Sequence, residues 1–358
     1  MRTMRRAAIA ALVPAVSVTL AACGSATPAA SPTAGLPEAS GASGTVVVLT
    51  HDSFAVPDEV VAEFEAASGL DVQFVAAADG GSLVNQLILT AGAPLGDVVY
   101  GVDNTFASRL VDANVVAPYT STAPAAADGA LAAYGDFDAL TPIDFSDVCL
   151  NVDLTYFADA ALPVPATLDD LTRPEYAGML SVTNPATSSP GLAFLVATVA
   201  AKGDDWPAYW EALRDNGLRV TASWSDTYFV DFSAPNYGGD RPVVLSYASS
   251  PPSEVVDGTP TTAALLDTCF RQVEYAGVLQ GAANPEGAKA VVDWMLSDAF
   301  QSALPESMYV YPVSPTATIP ADWAQFAPLA TAPWSLSPAE ISAQREDLIQ
   351  RWTDVVLG

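Results

Sequence analysis

Six short clusters carry most of the polar chemistry of this chain: His51-Asp52-Ser53-Phe54, Asp79-Gly80-Gly81-Ser82, Asp103-Asn104, Asn184 through Ser189, Ser223-Trp224-Ser225-Asp226 with Tyr228 beyond, and Tyr247-Ala248-Ser249-Ser250. They hold acids, hydroxyls and aromatic rings, and not one Lys or Arg. A site for an anion would enlist arginine or several free helix N-termini. Carboxylates and rings together suit a cation with a flat apolar part. A ring face attracts a cation by ~0.5–2 kcal/mol, more when water is excluded, and a carboxylate adds charge pairing without a metal.

Each cluster also has a structural reading. Asp52, Asp79 and Asp103 stand where an Asp caps a helix. Ser189-Pro190-Gly191 is a good helix start, although its free N–H groups could also hold a phosphate or hydroxyl. Trp224 and Tyr228, at i,i+4, share a helix face and suit a core as well as a ligand box. The same composition at six places gives a binding site equal standing with packing.

Catalysis has thinner support. His51 is the one histidine, and a lone His after a strand is more often structural than catalytic. No His or Cys spacing suggests a metal site, and no Gly-x-Ser-x-Gly elbow, phosphate loop or dinucleotide fingerprint is present. Acids are numerous enough that a hydrolase with a carboxylate pair stays open, yet nothing selects one pair.

The clusters share a position, each following a short β-branched run. Thr45–Leu49, Val72–Ala76 and Asp97–Gly101 read as strands. Between them Glu59–Ala67 and Ser82–Thr90 have helical spacing, and Gly69 is a stop signal. This βαβαβ rhythm predicts an α/β fold with mainly parallel pairing. It returns with strands at Met179–Val182, Arg219–Ala222 and Pro242–Ser246, each followed by a predicted helix, from about Ser189, Trp224 and near Ser253. Two extended segments, Phe145–Val152 and Phe270–Val278, suit crossings between lobes. Helices are predicted over Pro285–Leu296, Ala299–Leu304 and Pro338–Leu357. In open α/β sheets ligands bind beyond the carboxyl ends of the strands, where all six clusters fall.

The outer segments speak of export. Arg2, Arg5 and Arg6 head an apolar run that ends at Leu20-Ala21-Ala22-Cys23. A basic head, a short apolar segment and small residues describe a secretory signal over residues 1–22. The cysteine after them resembles a bacterial lipobox, which would make Cys23 the lipidated first residue of the mature chain. The alternatives are an ordinary cut near Ala22 or a membrane anchor, for which the run is short against the ~20 apolar residues a span needs. Residues 23–44, nearly all Gly, Ala, Ser, Thr and Pro after the cysteine, read as a flexible tether. Beyond them lies a body long enough for two lobes.

The net charge is −28; three of the 13 basic residues and none of the 41 acids lie in residues 1–22, so the remainder is more acidic still. That excludes the basic footprint of a nucleic-acid binder. With Cys23 assigned to lipid, Cys149 and Cys269 remain. An even pair in an exported chain reads as a disulfide, two buried free thiols being the alternative. Cys149 lies on one predicted crossing segment and Cys269 just before the other. The long loop the bridge would close is worth ~4–5 kcal/mol in the chain-entropy account.

Several of these stretches, in order, resemble one family. They are "DSF" at Asp52–Phe54, "DGGSLVNQL" at Asp79–Leu87, "DVVYGVDN" at Asp97–Asn104, "NPATSSPGL" at Asn184–Leu192, "WSDTYF" at Trp224–Phe229, "VLSYASSP" at Val244–Pro251 and "MYVYPV" at Met308–Val313. The chain is similar over nearly its whole body to the thiamine-binding substrate-binding proteins of bacterial ABC importers. Three positions depart from the family pattern. His51 stands where Tyr is frequent, Tyr309 where Trp is common, and Pro252-Ser253 where an aromatic often follows.

The resemblance implies a two-lobed periplasmic-binding-protein-like α/β fold (type II), its mixed, mainly parallel sheets joined by crossing strands. One lobe would span residues 45–145 and 278–358, the other 146–277. It also implies a monomer without catalysis or cofactor that captures thiamine or its phosphates between the lobes. The ligand would pass to an ABC permease at the outer face of the cytoplasmic membrane or in the periplasm, with the lipid on Cys23 as anchor.

Asp79, Gly80, Ser188, Ser189, Trp224 and Tyr247 through Ser250 fall on family positions that line the thiamine pocket. Trp224, Tyr247 and Tyr309 would box the rings. Asp79, with Asp52 or Asp226, would hold the amino group or the positive charge. Ser188 and Ser189 would meet the hydroxyethyl end or a phosphate. The rival ligands are a polyamine, or ferric iron held by tyrosines such as Tyr309 and Tyr311.

Overall fold

The computed structural model describes residues 43–119, 121, 123, 129–234 and 237–358. The leader, Cys23 and nearly all of the tether lie outside the described residues. Strand and helix alternate from the start: β1 (Gly44–Thr50), α1 (Asp58–Ser68), β2 (Leu70–Ala76), α2 (Gly80–Leu89), β3 (Val98–Asp103) and α3 (Ala107–Asp112). Next come β4 (Thr141–Asp153), α4 (Leu154–Asp159), β5 (Leu180–Thr183), α5 (Ser189–Lys202), α6 (Trp206–Asp215), β6 (Arg219–Thr221) and β7 (Val243–Tyr247). Then follow a short hairpin of β8 (Val255–Val256) and β9 (Thr259–Pro260), the long β10 (Thr262–Val278), α7 (Pro285–Trp294), α8 (Asp298–Met308), β11 (Tyr311–Pro312), α9 (Trp323–Phe326) and α10 (Pro338–Val356).

Local chemistry sets the boundaries. α1 stops because Gly69 takes the left-handed conformation (φ 75°) and returns its N–H to the Glu65 carbonyl, the usual glycine solution at a helix end. Asp79 caps α2, Ser188 caps α5, and a Ser337/Glu340 capping box opens α10.

Hydrogen bonding runs without a break through one nine-stranded sheet, in the order β2-β1-β3-β10-β4-β7-β5-β6, with β11 added on β4. β1 pairs in parallel with β2 and β3, and β5 with β6 and β7. β10 and β4 pair antiparallel with each other and with their neighbours β3 and β7. They are the strands that run between the two parallel flanks, which makes the fold two-lobed. α7 and α8 pack with the β1–β3 flank, and α5 and α6 with the other. α10 touches elements of both. Trp352 meets Trp210 of α6 edge-on at 5.5 Å, and Arg345 donates to the Thr105 carbonyl (2.8 Å) and to Ser108.

The structure corrects the predicted elements at three places. The helix expected from Trp224 is a π-helical turn over Asp226–Asp231, where the Phe232 N–H reaches back five residues to the Thr227 carbonyl. The helix expected near Ser253 is only a 3₁₀ turn, Pro251–Glu254, because the hairpin of β8 and β9 follows at once. β10 begins at Thr262 rather than Phe270, so Cys269 lies inside the crossing strand. There the β4–β10 register shifts between Leu265 and Phe270, and the Cys149–Cys269 disulfide closes over the irregularity, across 120 residues of sequence. Among the described residues, no helix is long and apolar enough to cross a membrane.

Candidate functional site

The tips after β1, β2, β5, β6 and β7 meet between the two flanks. Two adjoining cavities lie there and share His51, Ser53, Trp224, Tyr247 and Glu274 in their walls. The inner one, about 10 Å³ or scarcely a water's space, adds Asp79, Gly80, Gly101, Ser189 and Pro190. The outer one, about 240 Å³, adds Asp52, Phe229, Met308 and Tyr309 among others. Neither wall contains a Lys or an Arg.

Trp224 answers to both structural and site readings. It is 6 % exposed and stacks on Tyr228 (centroids 5.0 Å apart, planes 14° apart), yet it also borders both cavities. Its indole N–H donates to Ser246 Oγ (3.0 Å), which is itself bonded to Ser250 Oγ (2.9 Å). The edge of the indole is thereby fixed. Tyr247 and Tyr309 stand 5.9 and 6.3 Å away, tilted rather than stacked. Tyr309 ends α8 with φ +55°, a conformation a non-glycine residue holds only when its surroundings demand it. Ser249 supplies part of that demand by donating its hydroxyl to the Tyr309 carbonyl.

Asp79 joins the two flanks. Oδ1 accepts the N–H groups of Gly80 (2.5 Å) and Ser189 (3.2 Å), and Oδ2 accepts the N–H of Trp224 (2.9 Å). The cap of α2 in one lobe is therefore also a clasp on the other lobe. Burial raises the pKa of this carboxyl, and the Trp224 N–H and the Ser188 hydroxyl work against that rise. Nearby, the Ser82 N–H meets the Thr187 carbonyl at 3.0 Å. An added Cβ at Gly80 would collide with Ser189 Oγ, and one at Gly101 (φ +85°) with the His51 ring, so both glycines permit the close approach that builds the inner cavity.

Beneath this lies a row of acids. Asp103 on β3, Glu274 on β10 and Asp144 on β4 are cross-strand partners, and all are buried. Burial is the main cause that lifts Asp103 to about 7, with the Glu274 charge adding to it. Asp144 is raised well above the usual carboxylate range for the same two reasons. It accepts the Tyr100 hydroxyl at 2.5 Å. The basic group in the wall is His51, whose Nε2 lies 3.7 Å from Glu274 Oε2, an ion contact too long for a hydrogen bond.

Of the residues singled out from sequence, Asp52, Asp79, Gly80, Ser189, Trp224, Tyr247 and Tyr309 come together in the cavity walls. Five stand behind or outside them. Asp226 is exposed at the start of the π turn. Ser188 is fully buried as the cap of α5, bonded to Thr183 Oγ1 (2.9 Å). Ser249 bonds Ser146 (2.6 Å) and Ser250 bonds Ser246, so these hydroxyls brace the wall rather than line it. Tyr311 donates to the Ala327 carbonyl (2.5 Å) and packs on Phe145 and Trp323; it lines neither cavity.

Glu274 is a wall residue outside every strand-tip cluster; Ser53 and His51 belong to the first cluster, Ser53 with no role assigned and His51 read as structural, and both line the walls. The signal for Glu274 is an acid inside a crossing strand that must be buried.

Comparison with known proteins places this geometry. Residues 93–335 match the family described as bacterial extracellular solute-binding protein. A thiamine-binding periplasmic protein of Escherichia coli K12 is 30% identical over 87% of this chain and 93% of its own length. One from Brucella suis is 30% identical over 89% and 94%. A solved periplasmic thiamin-binding protein superposes with a TM-score of 0.77 at 29% identity, covering 87% of this chain and 96% of that one. Iron-bound HitA from Pseudomonas aeruginosa, at 18% identity and a TM-score of 0.67 over 87% and 99%, shares the fold. The chain belongs to the bacterial extracellular solute-binding proteins, the family whose fold and cleft it displays.

Proposed function

We propose that this protein captures thiamine or its phosphates in the cleft and delivers it to the permease of an ABC importer, without chemical change. The carrying observation is a cavity walled by Trp224, Tyr247 and Tyr309, with Asp52 and Glu274 in its wall and no Lys or Arg. It occurs in a chain whose 30%-identical relatives are named thiamine-binding. Thiamine has a flat aminopyrimidine and a cationic thiazolium; rings and acidic oxygens suit both. In this reading the indole and phenols box the rings and the acids supply the field. Asp79, engaged with three backbone N–H groups, holds the lobes together around the ligand by a hinge closure.

A phosphorylated form would place its phosphate toward Ser189 and the start of α5. Lipid on Cys23 and the tether after it would keep a monomeric body outside the cytoplasm, beside its permease. Ferric iron fits less well, since Tyr311, one of the two phenols named for it, is engaged with Ala327 and lines neither cavity. Calorimetry with thiamine, its mono- and diphosphate, putrescine and ferric citrate tests the reading. One site per chain for thiamine or a phosphate is expected. Heat from putrescine alone, colour on iron loading, or product released from thiamine would refute it.

A further inference from the structure

Three buried polar atoms around the inner cavity have no hydrogen-bond partner: His51 Nε2, Glu274 Oε2 and Ser189 Oγ. Their residues are 7 %, 5 % and 3 % exposed, and all three line that cavity. Each is held from behind. His51 Nδ1 lies 3.0 Å from Ser53 Oγ, Glu274 Oε1 accepts from Gln272 Nε2 at 2.9 Å, and the Ser189 N–H is bound to Asp79. A buried polar atom without a partner carries its full desolvation penalty. Three of them, fixed by their other contacts and gathered at one cavity, mark where a ligand would supply the missing bonds.

We propose that Glu274 is the carboxylate that takes the ligand's cationic or amino-bearing end, and that His51 is the counter-ion it exchanges for that ligand. The inference deepens the function proposed above and rests on its cationic ligand. Nε2 of His51 and the ligand's positive end approach the same oxygen, so one displaces the other. Burial by itself would strip the proton from His51; the Glu274 charge, helped by Asp79 and Asp52, outweighs it and raises the imidazole pKa. A cation seated on Glu274 cancels that charge and leaves burial in command, and the proton departs to solvent.

The other groups facing Glu274 are acids or phenols. They are Asp103 and Tyr100 on β3, Asp144 on β4 and Tyr247 at the end of β7. They set the background field, and Asp103, held at about 7 beside Glu274, can release a proton of its own, so the difference between wild type and a variant without His51 is what isolates the histidine. Binding should therefore weaken as pH falls through the His51 midpoint.

The chain holds a single histidine, so its Hε1 resonance reads His51 without ambiguity. Titration of the full chain should give a midpoint above the ordinary value. Glu274→Gln should lower it by about one unit or more, as loss of a close opposite charge does. Thiamine at saturation should lower the wild-type midpoint in the same direction and leave that of E274Q nearly unmoved. Calorimetry near the midpoint, in buffers of different ionisation heat, should show more proton release on thiamine binding by wild type than by His51→Gln. E274Q should bind roughly tenfold or more weakly.

Putrescine, a cation without a ring, is titrated in parallel. If it lowers the midpoint and thiamine does not, the ligand named above is wrong and the exchange stands. A midpoint indifferent to E274Q, one moved by neither cation, or equal proton release by wild type and H51Q overturns the proposal. H51Q leaves Glu274 in place, so the proton count stands should E274Q fail to fold.

Discussion

Replacing Trp224 with alanine is the most direct test of the cleft as a ring-lined site. The indole borders both cavities, stacks on Tyr228 and completes a wall with Tyr247 and Tyr309. Its removal takes away one aromatic contact, worth ~0.5–1.5 kcal/mol beyond burial, and one ring face for a cation, worth ~0.5–2 kcal/mol. Together they predict a loss of about 1–3.5 kcal/mol, fivefold to about 300-fold in Kd for thiamine. Trp224→Phe keeps a ring on Tyr228 and gives up the bond to Ser246; Ser246 retains Ser250, so this variant should weaken binding less than tenfold. The indole belongs to a small cluster with Tyr228, Phe232, Ala234 and Val244, separate from the two large cores, so the fold should survive, and circular dichroism verifies that. Calorimetry reads the affinities. A folded W224A that binds thiamine within twofold of wild type would make Trp224 a packing residue and remove the ground for a ring-lined site.

Three further outcomes follow from the same structure. Cys149→Ala with Cys269→Ala opens a 120-residue loop, which the chain-entropy account values at about 5 kcal/mol; thermal unfolding should drop by roughly 7 °C for a body of this size, and an unchanged Tm would show that the bridge restrains little. Asp103→Asn should flatten the dependence of stability on pH. Asp103 sits at about 7 when folded and near 3.9 unfolded, so the folded state holds its proton more tightly. Wild-type stability is then lost by about 1.4 kcal/mol per pH unit as pH rises from about 4 to about 7, while D103N, whose amide oxygen can still accept from Thr105 and Phe106, lacks that slope; parallel denaturant titrations that coincide at every pH would contradict the raised value. Gly81→Ala would set a Cβ 2.8–2.9 Å from the carbonyl group of Thr187, across the cleft, and should hold the lobes apart; scattering should show a larger radius of gyration, and thiamine should bind roughly tenfold more weakly, with neither change seen if the lobes yield freely.

The parallel flanks could be read from sequence because strands buried on both faces are nearly continuous apolar runs, as Thr45–Leu49 is, and because Gly69 can adopt a conformation that other residues avoid. The start of β10 was hidden because Thr262–Leu266 is only partly buried and is made of Ala and Leu after its Thr, residues that favour helix, whereas Phe270–Val278 carries the β-branched and aromatic residues that mark a strand. The π turn after Trp224 was hidden because an i,i+4 aromatic pair looks the same at the entry of either helix type. α6 escaped because Trp206-Pro207 follows α5 after only a 3₁₀ turn and no strand separates them.

At the site, composition identified the tips but could not sort lining from bracing. Ser189 and Ser188 are adjacent, yet one hydroxyl faces the cavity and the other caps its helix. The two readings weighed for Asp79 also proved compatible, since one carboxylate both caps α2 and borders the cavity. Glu274 could not be singled out, because its place depends on β10 lying between β3 and β4, a pairing between segments more than a hundred residues apart.

The crossing strands bear on how the molecule can move. β4 and β10 are laddered on both sides of the shift between Leu265 and Phe270, and a covalent link joins them at that interruption. Sliding one strand along the other would have to break both ladders and stretch the sulfur bridge, whereas a change of twist strains neither. Opening and closing about the proposed hinge would thus be confined to a rotation with a nearly fixed axis, and the jaws would return to the same alignment after each cycle.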